Sequence, residues 1–213
     1  KAIKEKLNLT SKCIYNPIKL ESLKKRKINF FSNFKELKII SIGRLTDQKD
    51  QATILKSAKL LKEKKIKFKI CIIGQGYKYK DLIKYINENG LNKNVKLLGY
   101  KPFAQQYMNS ADLFVLSSKY EGLPNVLIEA QRLELPIISS NCKTGPREIL
   151  ASGKFGELFD VGNYSKLSIQ IQKFTNNRKI LKKKAILAKK YLYRFDYKNN
   201  CNKYYDLINK LNK

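Results

Sequence analysis

The stretch Ser117-Ser118-Lys119-Tyr120-Glu121-Gly122-Leu123-Pro124-Asn125-Val126-Leu127-Ile128-Glu129-Ala130 reads as the junction of a strand and a helix. Ahead of it, Ala111-Asp112-Leu113-Phe114-Val115-Leu116 is an apolar run of strand length, and behind it Val126, Leu127, Ala130 and Leu133 keep helical spacing. Pro124 suits the first turn of that helix, where no N–H is needed and φ is already helical. The backbone N–H groups around Leu123 to Val126 then point out of the helix start, whose partial positive charge favours a phosphate or a sugar hydroxyl. Glu121 precedes that start and Glu129 lies on the helix. From this turn alone two readings stay open: a loop carboxylate and an ordinary helical one, or a pair bracketing a ligand.

Outward from the junction, strands and helices alternate. Leu37-Lys38-Ile39-Ile40-Ser41-Ile42 is a strand, Gly43-Arg44-Leu45-Thr46-Asp47-Gln48-Lys49-Asp50 a turn, and Ala52, Leu55, Ala58 and Leu61 mark a helical stripe. The pattern repeats at Phe68-Lys69-Ile70-Cys71-Ile72-Ile73 with the tight turn Gly74-Gln75-Gly76 and a helix over 82–89. Further short strands fall at 95–98, 113–116 and 136–139, a short helix opens near Thr144, and 155–159 reads as an edge strand. From Tyr164 onward the pattern is helical. Such alternation predicts an α/β fold, a Rossmann-like doubly wound parallel sheet with ligands at the carboxyl ends of its strands. Before it, 1–9 reads as the tail of a helix, 12–18 as an extended segment stopped by Pro17, and 21–34 as an exposed basic connector.

Composition narrows the chemistry. The chain has 213 residues and a net charge of +28. Histidine is absent, which removes Ser–His and Cys–His nucleophile pairs and any His-ligated metal. Cys13, Cys71, Cys142 and Cys201 are scattered without C-x-x-C spacing, so reduced, structural thiols are expected. The basic excess is mostly Lys and evenly spread; the arginines are Arg26, Arg44, Arg132, Arg147, Arg178 and Arg194. Even charge with few arginines suits a weak, salt-sensitive attraction to an anionic membrane surface better than a specific nucleic-acid groove. No 18-residue apolar run is present, and the expected location is the cytoplasm, at the inner face of the plasma membrane.

The ten residues from Glu121 to Ala130, two glutamates with seven residues between them, resemble the signature of the family 4 retaining glycosyltransferases of GT-B fold. The resemblance extends over 14–162. It implies the C-terminal, donor-binding half of such an enzyme: an inter-domain linker over 1–20, a nucleotide-sugar domain over 21–175, and helices over 176–213 that pack toward an N-terminal Rossmann-like domain. An apolar face near Tyr191, Phe195 and Tyr205 would then be left uncovered. Carried over residue by residue, Glu129 would hold the ribose hydroxyls and Glu121 the transferred sugar. The backbone of Gly122, Leu123, Pro124, Asn125 and Val126 would surround sugar hydroxyls and diphosphate. Gly43, Arg44 and Lys49 match the family's diphosphate clamp, Gly74 its glycine turn after the second strand, and Tyr100 and Lys101 the loop that frames the nucleobase. Gly145-Pro146-Arg147-Glu148 resembles the glycine turn near the nucleotide sugar, with Pro146-Arg147 in place of smaller residues.

An Arg fork and a mobile Lys can hold a diphosphate, and a carboxylate accepts two donors from a vicinal diol. The catalytic set implied is therefore Glu121, Arg44 and Lys49. Arg44 and Lys49 stabilise the leaving charge, while the departing phosphate oxygen takes the acceptor's proton. Glu121 as a covalent nucleophile is the formal alternative. With two cations and a helix start supplying positive charge, no metal cofactor is expected. The partners that the resemblance implies are a nucleotide-sugar donor, expected to be a UDP-sugar, and a glycan or lipid-linked acceptor for cell-surface polysaccharide or lipid-linked glycan. Two rivals stand beside this reading: a non-catalytic basic Rossmann-like nucleic-acid module, and a sugar-nucleotide epimerase of GT-B architecture.

Overall fold

Strand β1 (Leu37–Ile42) pairs in parallel with β2 (Phe68–Ile73) along its whole length, from Leu37 opposite Phe68 to Ile42 opposite Ile73. In this computed structural model the residues described are 13–18, 28, 30, 31 and 34–211. Between the two strands runs α1 (Gln51–Glu63), whose buried Ile54, Leu55, Ala58 and Leu61 form the predicted stripe. The chain continues through α2 (Tyr79–Glu88), β3 (Val95–Leu97), a four-residue α3 (Gln105–Met108), β4 (Leu113–Leu116), α4 (Asn125–Arg132), β5 (Ile137–Ser140), α5 (Pro146–Ile149) and the edge strand β6 (Glu157–Phe159). Helices α6 (Tyr164–Asn176), α7 (Arg178–Lys190) and, after a 3-10 turn at Leu192–Phe195, α8 (Tyr197–Leu211) complete it.

All six strands are parallel, in the order β3-β2-β1-β4-β5-β6. The expected doubly wound sheet is what the structure contains. Both faces are covered, which is why β4 reads as a continuous apolar run and why β4 and β5 are buried at every position, the serines of β5 included. Helix α1 lies against α6 on one face, and α7 lies against α4 and α6. The core joins Ile39, Ile70 and Val115 of the sheet to Leu55 and Leu61 of α1 and to Leu167 and Ile171 of α6. At the amino ends of β1 and β4, Asp112 accepts the Lys38 backbone N–H at 2.9 Å and stands 3.4 Å from Arg178 of α7. Cys71 is buried in β2, and burial pushes its thiol up to about 12; Cys142 is buried too, whereas Cys13 is exposed.

Three details differ from the sequence expectation. Pro124 stands one residue ahead of α4, with ψ at 96°, because the chain is still extended there and turns helical only at Asn125. The helical tail divides: among the described residues, those from 28 up to Lys190 fall in one compact unit, and 13–18 with 191–211 in a second, so α7 belongs with the sheet unit through its buried Leu181, Ala185 and Ala188. Within the smaller unit Ile18 bridges Asp196, its N–H donating to the Phe195 carbonyl at 3.1 Å, and the Tyr15 ring meets Phe195 edge-on at 4.9 Å. Phe195, expected on an uncovered face, is therefore buried, while Tyr205 is exposed. The predicted helix tail at 1–9 and most of the 21–34 connector lie outside the described residues.

The carboxyl ends of β1 and β2 carry a tight contact. Gly43 donates its N–H to the Ile73 carbonyl at 3.0 Å, and a methyl group on Gly74 would sit 1.9 Å from the Gly43 carbonyl oxygen, with φ at +150° besides. Backbone meets backbone there, so neither side can give way. Gly74→Ala should lower stability by about 3 kcal/mol, within the range of severe single substitutions. Gly122→Ala, where nothing lies within 4 Å of the added methyl, should stay within about 0.5 kcal/mol of the parent. Urea melts of both variants compare them directly.

Candidate functional site

The strand order reverses between β1 and β4, and the turns that leave those two strands meet at this switch point. After β1 the turn 43–50 runs past Arg44 and Lys49. After β4 the turn 117–124 carries Glu121 toward the start of α4. Four hydrogen bonds stitch the two turns: Lys119 N–H to the Gln48 carbonyl at 2.8 Å, Gln48 Nε2 to the Tyr120 carbonyl at 3.1 Å, Ser117 Oγ to the Lys49 carbonyl at 2.8 Å, and Lys49 Nζ to Glu121 Oε1 at 2.5 Å. The last is an ion pair with side-chain exposures of 16% for Lys49 and 7% for Glu121. Ser118 Oγ donates to the same carboxylate oxygen at 2.6 Å.

The neighbouring strand end supports this junction. Ser140 at the end of β5 donates from Oγ to the Ser118 carbonyl at 2.6 Å, and Thr144 donates its hydroxyl to the Glu121 carbonyl. Gly145 is required, since a methyl there would stand 2.3 Å from the Gly122 carbonyl oxygen. Arg44 is exposed; its Nη2 donates to Gln48 Oε1 at 3.3 Å, and its own carbonyl accepts from Gln51 Nε2 at 2.9 Å. Behind the turn, Asp47 accepts the Tyr77 hydroxyl at 2.9 Å and pairs with Lys78 at 3.2 Å; the Tyr77 hydrogen bond first and then Lys78 hold its carboxyl below the usual range. The turns after β1 and β2 are thereby latched together.

Beside Arg44 a groove of about 480 Å³ opens between Gly43, Gly74, Tyr100 and Lys101, with Ile42 and Ile73 at its base and mainly apolar walls. Tyr100 is exposed at its rim. A flat, mostly apolar ring of modest size fits such a slot. Glu129 lies one turn into α4, half-buried, and burial pushes its carboxyl up from the ordinary value. Among the described residues no group of three or more His, Cys, Asp or Glu side chains is placed to hold a metal ion.

The predicted residues thus fall into two sets. Gly43, Arg44, Gly74, Tyr100 and Lys101 share the groove, and Lys49 shares the adjoining turn with Glu121 and Ser118. Gly122, Leu123, Pro124, Asn125 and Val126 lead from Glu121 into α4, which carries Glu129. The sequence reading gives Lys49 to a diphosphate and Glu121 to a sugar, whereas in the structure each is the other's partner. Gln48, Ser118, Ser140 and Thr144 were missed. Their only signal was position: Gln48 and Ser118 lie inside turns already singled out, Thr144 directly precedes Gly145, and Ser140 ends a strand beside them, each with a polar side chain able to reach its neighbours. Arg147 is exposed on α5.

The family model for glycosyl transferases group 1 matches residues 24–191. An uncharacterized glycosyltransferase of Methanocaldococcus jannaschii is 37% identical over 177 residues, covering 79% of this chain and 43% of that protein. From Campylobacter jejuni, N-acetylgalactosamine-N,N'-diacetylbacillosaminyl-diphospho-undecaprenol 4-alpha-N-acetylgalactosaminyltransferase is 29% identical over 183 residues, 86% of this chain and 49% of that one. The chain spans less than half the length of either curated relative. The crystal structure of Anabaena HepE in complex with UDP has the same fold, with a TM-score of 0.81 at 20% identity over 93% of this chain and 57% of that chain. Since the matched segment contains the whole parallel sheet and both turns of the site, the chain belongs to the glycosyl transferases group 1 family.

Proposed function

We propose that this chain is the donor-binding half of a retaining glycosyltransferase, taking a UDP-sugar without a metal ion and acting with an N-terminal Rossmann-like domain. The observation that carries the reading is the meeting of the Arg44–Lys49 turn with Glu121 and the start of α4 at the switch point of the sheet. A diphosphate seated there faces the Arg44 guanidinium, the Lys49 ammonium and the N–H groups at the start of an eight-residue helix. Those groups supply the charge that a magnesium ion would otherwise bring. The groove at Gly43, Gly74, Tyr100 and Lys101 takes the base, and the UDP in the HepE crystal supports uracil as that base. The Campylobacter relative, named for a diphospho-undecaprenol-linked substrate, supports a lipid-linked or cell-surface glycan as acceptor and a place at the inner membrane surface.

In this reading the residues divide the work of transfer. As the bond from sugar to phosphate breaks, negative charge builds on the leaving oxygen, and Arg44 and the helix start stabilise it. The same oxygen is the base for the acceptor hydroxyl, so reaction on one face needs no protein nucleophile. Glu121 holds hydroxyls of the transferred sugar. Glu129 holds the ribose diol, and its burial bears on the assignment. A half-buried carboxylate whose pKa is raised costs stability at neutral pH, and a ligand with two donors restores the hydrogen bonds that burial removed.

Three measurements test this. Arg44→Ala should weaken UDP by about 1.5–3 kcal/mol, the range for hydrogen bonds to charged groups, with a much smaller loss for UMP. Equal losses for both nucleotides would remove Arg44 from the second phosphate. EDTA should leave the calorimetric UDP affinity unchanged; a loss restored by magnesium would place a metal in the site. Glu129→Gln separates stability from function. Because folding raises the Glu129 pKa above 4.5, its protonated form is the stable one; that stability is present below pH 4.5 and lost as pH rises through the folded pKa. The Gln variant should therefore melt higher than the parent at pH 7, the gap should close toward pH 4, and UDP should bind more weakly. A lower melting temperature at pH 7 would contradict the burial argument.

A further inference from the structure

The pair of Lys49 and Glu121 has a bearing on which ligands the site admits. Nζ and Oε1 are 2.5 Å apart, both side chains are largely withdrawn from solvent, and Ser118 Oγ holds the same oxygen at 2.6 Å. The backbones on either side are fixed: the Lys49 carbonyl accepts from Ser117, and the Glu121 carbonyl accepts from Thr144. The aliphatic stem of Lys49 passes over Gly43, with its Cδ 3.5 Å and its Cε 3.7 Å from where a Gly43 Cβ would be, and Gly43 is part of the groove wall. A four-carbon stem with rotatable torsions reaches either the carboxylate or an anion at that wall.

We propose that Glu121 is an internal counter-ion that occupies Lys49 in the ligand-free protein, so that a diphosphate must take Lys49 from it and in doing so frees the carboxylate to receive the sugar. This rests on the donor reading above and concerns the selectivity of that same site. While the pair is closed, Lys49 is withheld from a small anion, which meets Arg44, the helix start and, in the groove, Lys101. A monophosphate held by those groups gains nothing from opening the pair. A second phosphate reaches Lys49, and exchange of one anion for another leaves the ammonium matched throughout. Ser118 stays on Oε1 after the exchange and keeps the carboxylate oriented, leaving Oε2 to accept a sugar hydroxyl. Glu121 is on this account a specificity-determining residue twice over, against single phosphates and for a glycosylated diphosphate.

The test is calorimetric titration of the chain with UDP and UMP, with melting curves to verify folding. Removing the competitor should help the diphosphate: Glu121→Gln should bind UDP about three- to tenfold more tightly, with UMP changed less than about twofold. Glu121→Asp keeps the charge but retracts it by one methylene, and should give a smaller gain of the same sign. In a Lys49→Ala background Glu121→Gln should give no gain, because the cation that it would free is gone. Unchanged or weaker UDP binding by a folded Glu121→Gln, while Arg44→Ala still weakens UDP more than UMP, would overturn the exchange and leave the donor site standing. If the parent binds UDP no better than UMP and Arg44→Ala alters neither, the donor reading itself fails, and the exchange with it.

Discussion

Two parallel strands that end side by side must send their chains past one another, and the backbone of Gly43 and Gly74 shows how little room that leaves. The would-be methyl of Gly74 falls inside the Gly43 carbonyl, and the Gly43 N–H is already bonded across to Ile73. Everything at the ligand end follows from this approach. It sets the path of the 43–50 turn, brings Arg44 to the mouth of the groove, and lets Tyr77 and Lys78 fasten Asp47 from behind. On the other side of β1 the reversal of strand order admits the turn from β4, and hydrogen bonds through Gln48 and Ser117 bind the two turns into one surface.

The fold was legible because burial leaves a plain mark on this class of sheet. Strands covered on both faces are rich in apolar residues on both: β4 is an unbroken apolar run, Lys69 alone interrupts β2, Lys38 and Ser41 interrupt β1, and Ile137-Ile138 open β5. The intervening stripes gave the helices. What the sequence blurred were boundaries set by single dihedral angles, such as the extended ψ of Pro124 and the break at Asn177, whose φ of −142° separates α6 from α7. No pattern of residue types specifies those angles. The grouping of α7 with the sheet was also hidden, since six of its thirteen residues are Lys and only three buried small or apolar positions decide where it packs.

The site was legible by residue and illegible by partner. Lys49 and Glu121 are 72 positions apart, and each had a plausible occupation of its own, so nothing in the chain suggested that they would meet. Charge pairing of this kind is a property of the topology, which places the ends of β1 and β4 together. The serines fell below notice for a related reason. Ser140 does its work on the Ser118 carbonyl, 22 positions away, and Ser118 on the carboxylate of Glu121, whose orientation is set by the fold around the turn. Glu129 shows the converse: its role was readable, but the burial that raises its pKa depends on packing around α4.

One feature of the sheet reaches beyond the site. Cys71 sits in β2 between two other parallel strands, and its thiol, pushed up to about 12, is almost entirely protonated near neutral pH. Thiolate, the reactive form, arises there only when the sheet opens and water reaches the sulfur. Cys13 is exposed and has no such protection. The chain therefore carries its own pair of chemical clocks: an alkylating reagent that marks Cys13 at once marks Cys71 at the rate at which the centre of the molecule comes apart.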